Sequence, residues 1–250
     1  MLKNEREQEI IDIMKNANGF ATVKDLCERL FTSESSIRRD LTSLSNKGLV
    51  KRTYGGAELI SNFSNISAFS IRSHYNAAAK KIIAKKAVSL IKEGSTVFLD
   101  QSSTAFFLAS ELLENSSITI VTNNIEIISM MSRTNVNLIS SGGLLSQENR
   151  MCLYGEDARY IFENVHANYA FFSTKSLSDD GIIWDFSREE VLIRNAMLKN
   201  AEKKVFLCDS EKFHAHSAYK QCSLDDIDYL ISENDSAEFY KTVSDKLIVI

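Results

Sequence analysis

SESSIRRDLTSLSNKGLVKRTYGGA, from Ser33 to Ala57, is the stretch whose reading decides the fold. Ser33 is placed to cap a helix, because its hydroxyl accepts from an otherwise unpaired N–H of the first turn. Ile37, Leu41 and Leu44 follow at i, i+4 and i+7, one apolar stripe on one face. Gly48 supplies the left-handed residue that ends such a helix. The stripe opposite the apolar face is Ser35, Arg39, Thr42 and Asn46, with Arg38 on its flank. A helix with a small, polar, cationic outer face and an apolar inner one suits the major groove of DNA.

Working outward, Glu5 to Ala17 carries Ile10, Ile13 and Met14 on one side and stops before Gly19. Thr22 to Leu30 opens with a capping-box-like Thr22-x-x-Asp25 and turns Leu26 and Leu30 inward. The break at Phe31 and Thr32 makes a helix-turn-helix. After Gly48, Leu49 to Tyr54 is expected to form a strand with Gly55-Gly56 as its turn, the wing of a winged helix. Its Lys51 and Arg52 would reach phosphates or a minor groove. The expected DNA-contacting set is Ser35, Ser36, Arg38, Arg39, Thr42, Asn46, Lys51, Arg52 and Tyr54.

This segment closely resembles the signature of the DeoR family of bacterial transcriptional regulators. The family's Thr-Ile-Arg-Arg-Asp-Leu is matched by Ser36, Ile37, Arg38, Arg39, Asp40 and Leu41, a serine keeping the hydroxyl of the threonine. Asp40 is expected to pair with Arg29 or Lys47 rather than approach DNA, where its charge would be repelled.

The charge distribution supports the same division. The 250-residue chain has net charge −4, yet Met1 to Ala57 holds 10 Lys and Arg against 8 Asp and Glu, while the remainder holds 19 against 25. A mildly basic head thus precedes an acidic body, and DNA affinity must come from positioned side chains and dimerisation more than from bulk field. Cys27, Cys152, Cys208 and Cys222 are widely spaced, without a zinc spacing or a disulfide framework, and read as reduced thiols of a cytoplasmic protein. No signal peptide or 18-residue apolar span is evident, so neither secretion nor a membrane is expected. The chain has no proline, which excludes a stiff proline-rich linker.

The expected layout is a winged helix-turn-helix over 1–57, a linker over 58–75 in which Phe63, Ile66 and Phe69 pack in places, and an α/β domain over 76–250. That domain opens with a helix from about Asn76 to Glu93, with Ile83, Ala87, Leu90 and Ile91 inward. Short apolar runs then end at Asp100, Thr122, Ser140, Ser173, Asp209 and Ser232, and Leu247 to Ile250 offers an edge strand. Apolar runs separated by helices imply a mostly parallel sheet covered on both faces. Polar residues gather just after the runs, and in open α/β sheets the carboxyl ends of the strands form the ligand crevice.

The chemistry of those loops fits a small phosphorylated metabolite. Ser102, Ser103 and Thr104, before a helix expected over Ala105 to Leu113, offer hydroxyls and amides to an anion. Asn123, Asn124 and the Gly142-Gly143 backbone, beside Thr122, are suited to sugar hydroxyls. Lys212 and Lys175 would neutralise phosphate, and Asp100 and Asp209 would accept from hydroxyls. The body resembles the DeoR-type sensor domain at Lys81-x-Ile83-Ala84, Asp100 to Thr104, Thr122 to Asn124, Gly142-Gly143, Gly155, Asp209 and Lys212-Phe213. The resemblance implies a fold related to phosphosugar isomerases, sensing of a sugar phosphate without turnover, and no cofactor. Two departures stand out: Ser102 occupies the glycine place of the family's Asp-x-Gly-Ser/Thr-Thr loop, and Phe171 to Leu177 lacks a glycine after its aromatic pair. A Cβ at position 102 is expected to narrow the pocket or change its ligand.

Three functions follow from these residues: a repressor acting as a dimer or tetramer under a metabolite's control, a DNA-binding protein whose sensor only oligomerises, and a sugar-phosphate isomerase using Asp100, Asp209, Glu189 and Lys212. The first is expected. His214 and His216 lack an evident third ligand, so no metal is expected. Trp184, near Asp185, Arg188 and Glu189, caps the pocket or packs in the core or an interface, and Asp225, Asp226 and Asp228 read as an exposed turn.

Overall fold

The computed structural model describes residues 3–17, 20–59, 69–146, 149 and 151–250. Gly19, Phe63 and Ile66 lie outside the described residues. The chain divides into two units, Met1–Tyr75 and Asn76–Ile250.

The first unit runs α1 (Lys3–Asn16), β1 (Phe20–Thr22), α2 (Val23–Leu30), α3 (Glu34–Asn46), β2 (Val50–Thr53), β3 (Gly56–Leu59) and α4 (Phe69–His74). Both bonds of the capping box form at α2: Asp25 N–H donates to Thr22 Oγ1 at 3.0 Å, and Thr22 N–H to Asp25 Oδ2 at 3.3 Å. Ser33 caps α3, accepting from Ser36 N–H, and Gly48 takes the left-handed conformation at φ +72°. The small core is built from Ile10, Ile11 and Met14 of α1, Leu26 and Leu30 of α2, Ile37, Leu41 and Leu44 of α3, and Leu49, Val50, Ala57 and Leu59. Ile13, expected inside, is only partly buried, its place taken by Ile11.

Two expectations for the wing are corrected. The two-residue turn is Tyr54-Gly55 rather than Gly55-Gly56, because Thr53 pairs with Gly56 across the hairpin and Gly55 carries the positive φ of +82°. Gly56 instead lets β3 approach β1, since a Cβ there would sit 2.4 Å from Ala21 O. Strand β3 also continues through Glu58 to Leu59, residues expected to begin the linker; burial of Leu59 in the core draws the chain on.

Asp40 is corrected too. It is buried and accepts from Arg6, at 2.5 Å from Nε and 3.2 Å from Nη2, rather than from Arg29 or Lys47. Lys47 instead reaches Glu7 at 2.6 Å. Two ion pairs thus tie α1 to α3, and the hydrogen bond to Asp40 raises the Arg6 pKa above its ordinary value despite some desolvation. The reason is geometric: α1 lies across α3, which presents Asp40 to it beside Ile37 and Leu41.

The second unit runs α5 (Ala77–Val88), β4 (Thr96–Leu99), α6 (Ser103–Ser110), β5 (Thr119–Thr122), α7 (Ile125–Met131), β6 (Asn137–Ser140), β7 (Leu144–Leu145), β8 (Leu153–Tyr154), α8 (Glu156–Asn164), β9 (Ala167–Phe172), β10 (Ser176–Leu177), β11 (Ile182–Asp185), α9 (Arg188–Lys199), β12 (Ala201–Leu207), β13 (Tyr219–Ser223), β14 (Tyr229–Ile231) and β15 (Ile248–Val249). Seven strands form one sheet in the order β15-β14-β12-β9-β4-β5-β6, and each neighbouring pair is parallel. Alternate residues of β4 face opposite layers. Phe98 packs with Phe162 of α8 and Ile193 and Met197 of α9, while Val97 and Leu99 pack with Ile83 of α5, Leu108 of α6 and Ile127 of α7.

The strand order contains one reversal of direction. From β4 the chain steps outward to β5 and β6, then returns to β9 on the other side of β4. The β4–β9 boundary is therefore the topological switch point, where departing loops diverge and leave a crevice. A three-stranded antiparallel sheet, β10-β11-β13, and the β7-β8 hairpin are additions that the apolar runs did not announce.

Candidate functional site

On the first unit, Ser35, Arg38, Arg39, Thr42 and Asn46 of α3 and Lys51, Arg52 and Tyr54 of the wing are exposed, and Ser36 is half-buried. Arg52 Nη1 donates to Thr42 Oγ1 at 3.0 Å, which ties the wing to the outer face of α3, and Thr42 in turn donates to Arg38 O at 2.8 Å. Arg39 Nε is held by Ser35 O at 3.2 Å and Arg38 by Glu34 at 3.2 Å. The Arg38–Glu34 pair is solvent-exposed on both sides, so exchanging it for a phosphate costs little.

On the second unit, two cations flank the switch point. Lys212 Nζ donates to Ser173 Oγ at 2.7 Å and pairs with Asp209 at 3.1 Å, while Asn76 Nδ2 donates to Asp209 Oδ1 at 3.1 Å. Burial alone would raise the Asp209 pKa, but the charges of Lys212 and Lys80 and the hydrogen bonds from Asn76 and Lys212 bring it below the ordinary carboxylate value. Lys80 is itself buried. Ser102 caps α6 by accepting from Ala105 N–H at 3.1 Å, at an ordinary φ of −73°, so the residue in the family's glycine place is accommodated without backbone strain.

Beneath these lies a buried polar network. Arg194 Nε donates to Asp100 Oδ2 at 2.9 Å, Nη1 reaches Asp185 at 2.7 Å and Nη2 Glu190 at 2.9 Å. Burial opposes the Arg194 charge, but the three carboxylates outweigh it and raise its pKa. Glu190 also accepts from Gln101 at 2.8 Å and Asn149 at 3.0 Å, and Gln101 Oε1 accepts from Asn123 Nδ2 at 3.2 Å. The network links β4, β5, β11 and α9 across the switch point.

Several expected residues therefore have structural roles. Asp100 is fully buried and accepts from Arg194, Ser173 N–H and Ser102 N–H, which makes it an organiser of the strand ends. Gly143 is required by close packing: at φ +100° its Cβ would lie 2.6 Å from Tyr154 O. Gly142 is exposed at φ +66°. Lys175 is exposed in solvent, with its N–H on Trp184 O at 3.2 Å. Thr122 is occupied with Leu99 O and the N–H of Asn124, and Ser103 is buried in the first turn of α6.

Of the buried polar side-chain atoms without a hydrogen-bond partner among the described residues, four follow adjacent strands: Thr104 Oγ1 after β4, Asn123 Oδ1 and Asn124 Nδ2 after β5, and Thr174 Oγ1 after β9. Buried polar groups are satisfied as a rule, so four such atoms following three adjacent strands mark a place built to meet polar groups. Sequence reasoning missed Lys80, Gln101, Asn149, Thr174, Glu190 and Arg194. The helical phase carried a signal for Lys80: it lies three, four and seven residues before Ile83, Ala84 and Ala87, on the buried face, whereas Lys81, to which the family motif was fitted, is exposed. Trp184 donates to Ser178 Oγ at 2.9 Å, and His214 pairs with Asp179 while His216 packs on Trp184.

Winged helix and strand-end crevice together define a DNA-binding regulator with an α/β sensor domain. Residues 6–63 match the DeoR-like helix-turn-helix domain and residues 75–234 the DeoR C terminal sensor domain, so the chain belongs to the DeoR family of transcriptional regulators. An L-fucose operon activator of Haemophilus influenzae is 34% identical over 219 residues, covering 87% of this chain and 87% of its own. The HTH-type transcriptional regulator GolR of Listeria innocua is 33% identical over 235 residues, covering 94% of this chain and 92% of its own. Ribose 5-phosphate isomerase A of Methanocaldococcus jannaschii aligns with a TM-score of 0.42 at 18% identity over 55% of each chain, a distant likeness. Among the described residues, no helix is long and apolar enough to cross a membrane.

Proposed function

We propose that this chain is a cytoplasmic, homo-oligomeric repressor of carbohydrate-metabolism genes, whose hold on its operator changes when a phosphorylated sugar or related metabolite enters the crevice at the β4–β9 switch point. The observation that carries the proposal is the presence of two cations acting on Asp209, Lys80 and Lys212, together with the unpartnered polar atoms of Thr104, Asn123, Asn124 and Thr174 after neighbouring strands. A phosphate dianion meets the cations and the first turn of α6, where Ser102, Ser103 and Thr104 lie; ligand hydroxyls meet the amides and Thr174. In the head, Ser35, Ser36, Arg38, Arg39, Thr42 and Asn46 face the major groove, and Lys51, Arg52 and Tyr54 the backbone beside it. The relatives named as transcriptional regulators support sensing without turnover.

A second reading, activation instead of repression, draws support from the relative named as an operon activator. Both make the same first prediction. A thermal-shift panel of phosphorylated sugars, polyols and their unphosphorylated partners gives a rise of several degrees for a phosphorylated member, about 2.7 kcal/mol at 100 times its dissociation constant. The same compound then changes operator affinity by roughly 1–3 kcal/mol, and the direction separates inducer from corepressor. A flat panel removes the sensing function and leaves a body that serves to oligomerise.

A further inference from the structure

Phe31, in the turn between α2 and α3, carries two costs that the folded protein does not recover. Its backbone is left-handed, with φ +49° and ψ +44°, a conformation that bulky L residues avoid. The residue is also 94% exposed, its aromatic side chain in water. The turn does require this backbone: Phe31 N–H and Thr32 N–H both bond Cys27 O, closing the end of α2. Glycine or asparagine would meet that need without strain and without placing an aromatic ring in water.

The position says what the ring is for. Phe31 stands two residues before Ser33, the cap of α3, and in helix-turn-helix docking the first residues of the recognition helix reach the base edges. A side chain two residues before that cap therefore meets the mouth of the major groove. The residues that follow it, Thr32, Ser33, Glu34 and Ser35, are polar, unlike the apolar centre of a protein–protein interface. In the major groove the apolar feature available is the 5-methyl group of thymine, which phenylalanine contacts. We infer that Phe31 reads a thymine methyl group at the edge of the operator half-site, adding apolar specificity to a head with little net positive charge.

The test uses the full chain and a duplex selected by the wild-type protein from a random-sequence library. Each thymine is replaced in turn by deoxyuridine, which removes one methyl group, and binding is followed by fluorescence anisotropy. The wild type loses about three- to fivefold in affinity at one thymine per half-site. Phe31→Asn loses a comparable factor on the intact duplex, is indifferent to deoxyuridine there, and melts at a higher temperature because the strain is gone. Phe31→Leu keeps part of the sensitivity. The inference is overturned if Phe31→Asn binds the intact duplex as tightly as wild type, if no thymine is sensitive, or if the sensitive thymine stays equally sensitive in Phe31→Asn.

Discussion

Replacing Arg6 by methionine isolates the carboxylate that holds α1 against α3. The Asp40 side chain is 2% exposed and Arg6 17%, and the guanidinium donates to both carboxylate oxygens. Removing one partner of a fully buried pair costs about 3–5 kcal/mol, and a hydrogen bond to a charged group contributes about 1.5–3 kcal/mol. Because Arg6 keeps some solvent, Arg6→Met should destabilise the head by about 2–3 kcal/mol. Asp40→Leu should cost less, because the freed guanidinium can turn to water. The double variant should recover much of the loss, since two apolar residues leave no buried charge. Hydrogen exchange of the α3 amides in the full chain reads the head separately from the larger domain, and for a unit this small the loss shifts its melting by about 8 °C or more. A drop below about 0.5 kcal/mol for Arg6→Met, or a double variant no more stable than Arg6→Met, would refute the assignment of this pair as the α1–α3 clamp.

The remaining expectations concern the crevice and the DNA face. Because the folded Asp209 pKa lies below its unfolded value, its contribution to stability is present above the unfolded value near about pH 3.9 and disappears as pH falls through the folded one. Asp209→Asn should therefore flatten the acid limb of a melting-temperature profile below about pH 4, and a steeper limb would contradict the pairing with Lys212 and Lys80. Gly143→Ala should cost about 1–3 kcal/mol more than Gly142→Ala in urea unfolding, because a Cβ at 143 meets Tyr154 O at 2.6 Å while one at 142 meets nothing within 4 Å. Equal losses would show that only the positive φ matters. Arg38→Ala should leave the melting temperature within about a degree and lower the log-log salt slope of DNA binding by about 1 per contacting subunit; an unchanged slope would place Arg38 off the phosphates.

The recognition helix was legible because its signals are local: a cap at Ser33, a stripe of Ile37, Leu41 and Leu44, and a stop at Gly48 lie within sixteen residues. The parallel sheet was legible because strands buried on both faces read as unbroken apolar runs. Partners far apart in sequence were not. Nothing local to Asp40 selects Arg6 over Arg29 or Lys47, and nothing near Arg194 announces Asp100, 94 residues away. The wing turn was misplaced by one residue because two adjacent glycines met different needs, a positive φ at Gly55 and a close approach to β1 at Gly56. In the crevice, the polar loops were identified by position, but which of their atoms face a ligand depends on which are consumed by the fold. Asp100 was consumed by it and Asn123 Oδ1 was not.

The Arg194 cluster has a consequence for the order in which the chain acquires its abilities. The ion pairs that build the winged helix join residues at most 40 apart, as between Glu7 and Lys47. The buried network, by contrast, needs Asp100, Asp185, Glu190 and Arg194 assembled at once, with Gln221 Oε1 accepting from Arg194 Nη1 at 3.3 Å. On a ribosome the head has every partner it requires long before the body does, and domains fold as units from the N-terminal end during synthesis. A chain interrupted before Arg194 thus carries every ion-pair partner of the reading head and only part of the buried network that organises the body.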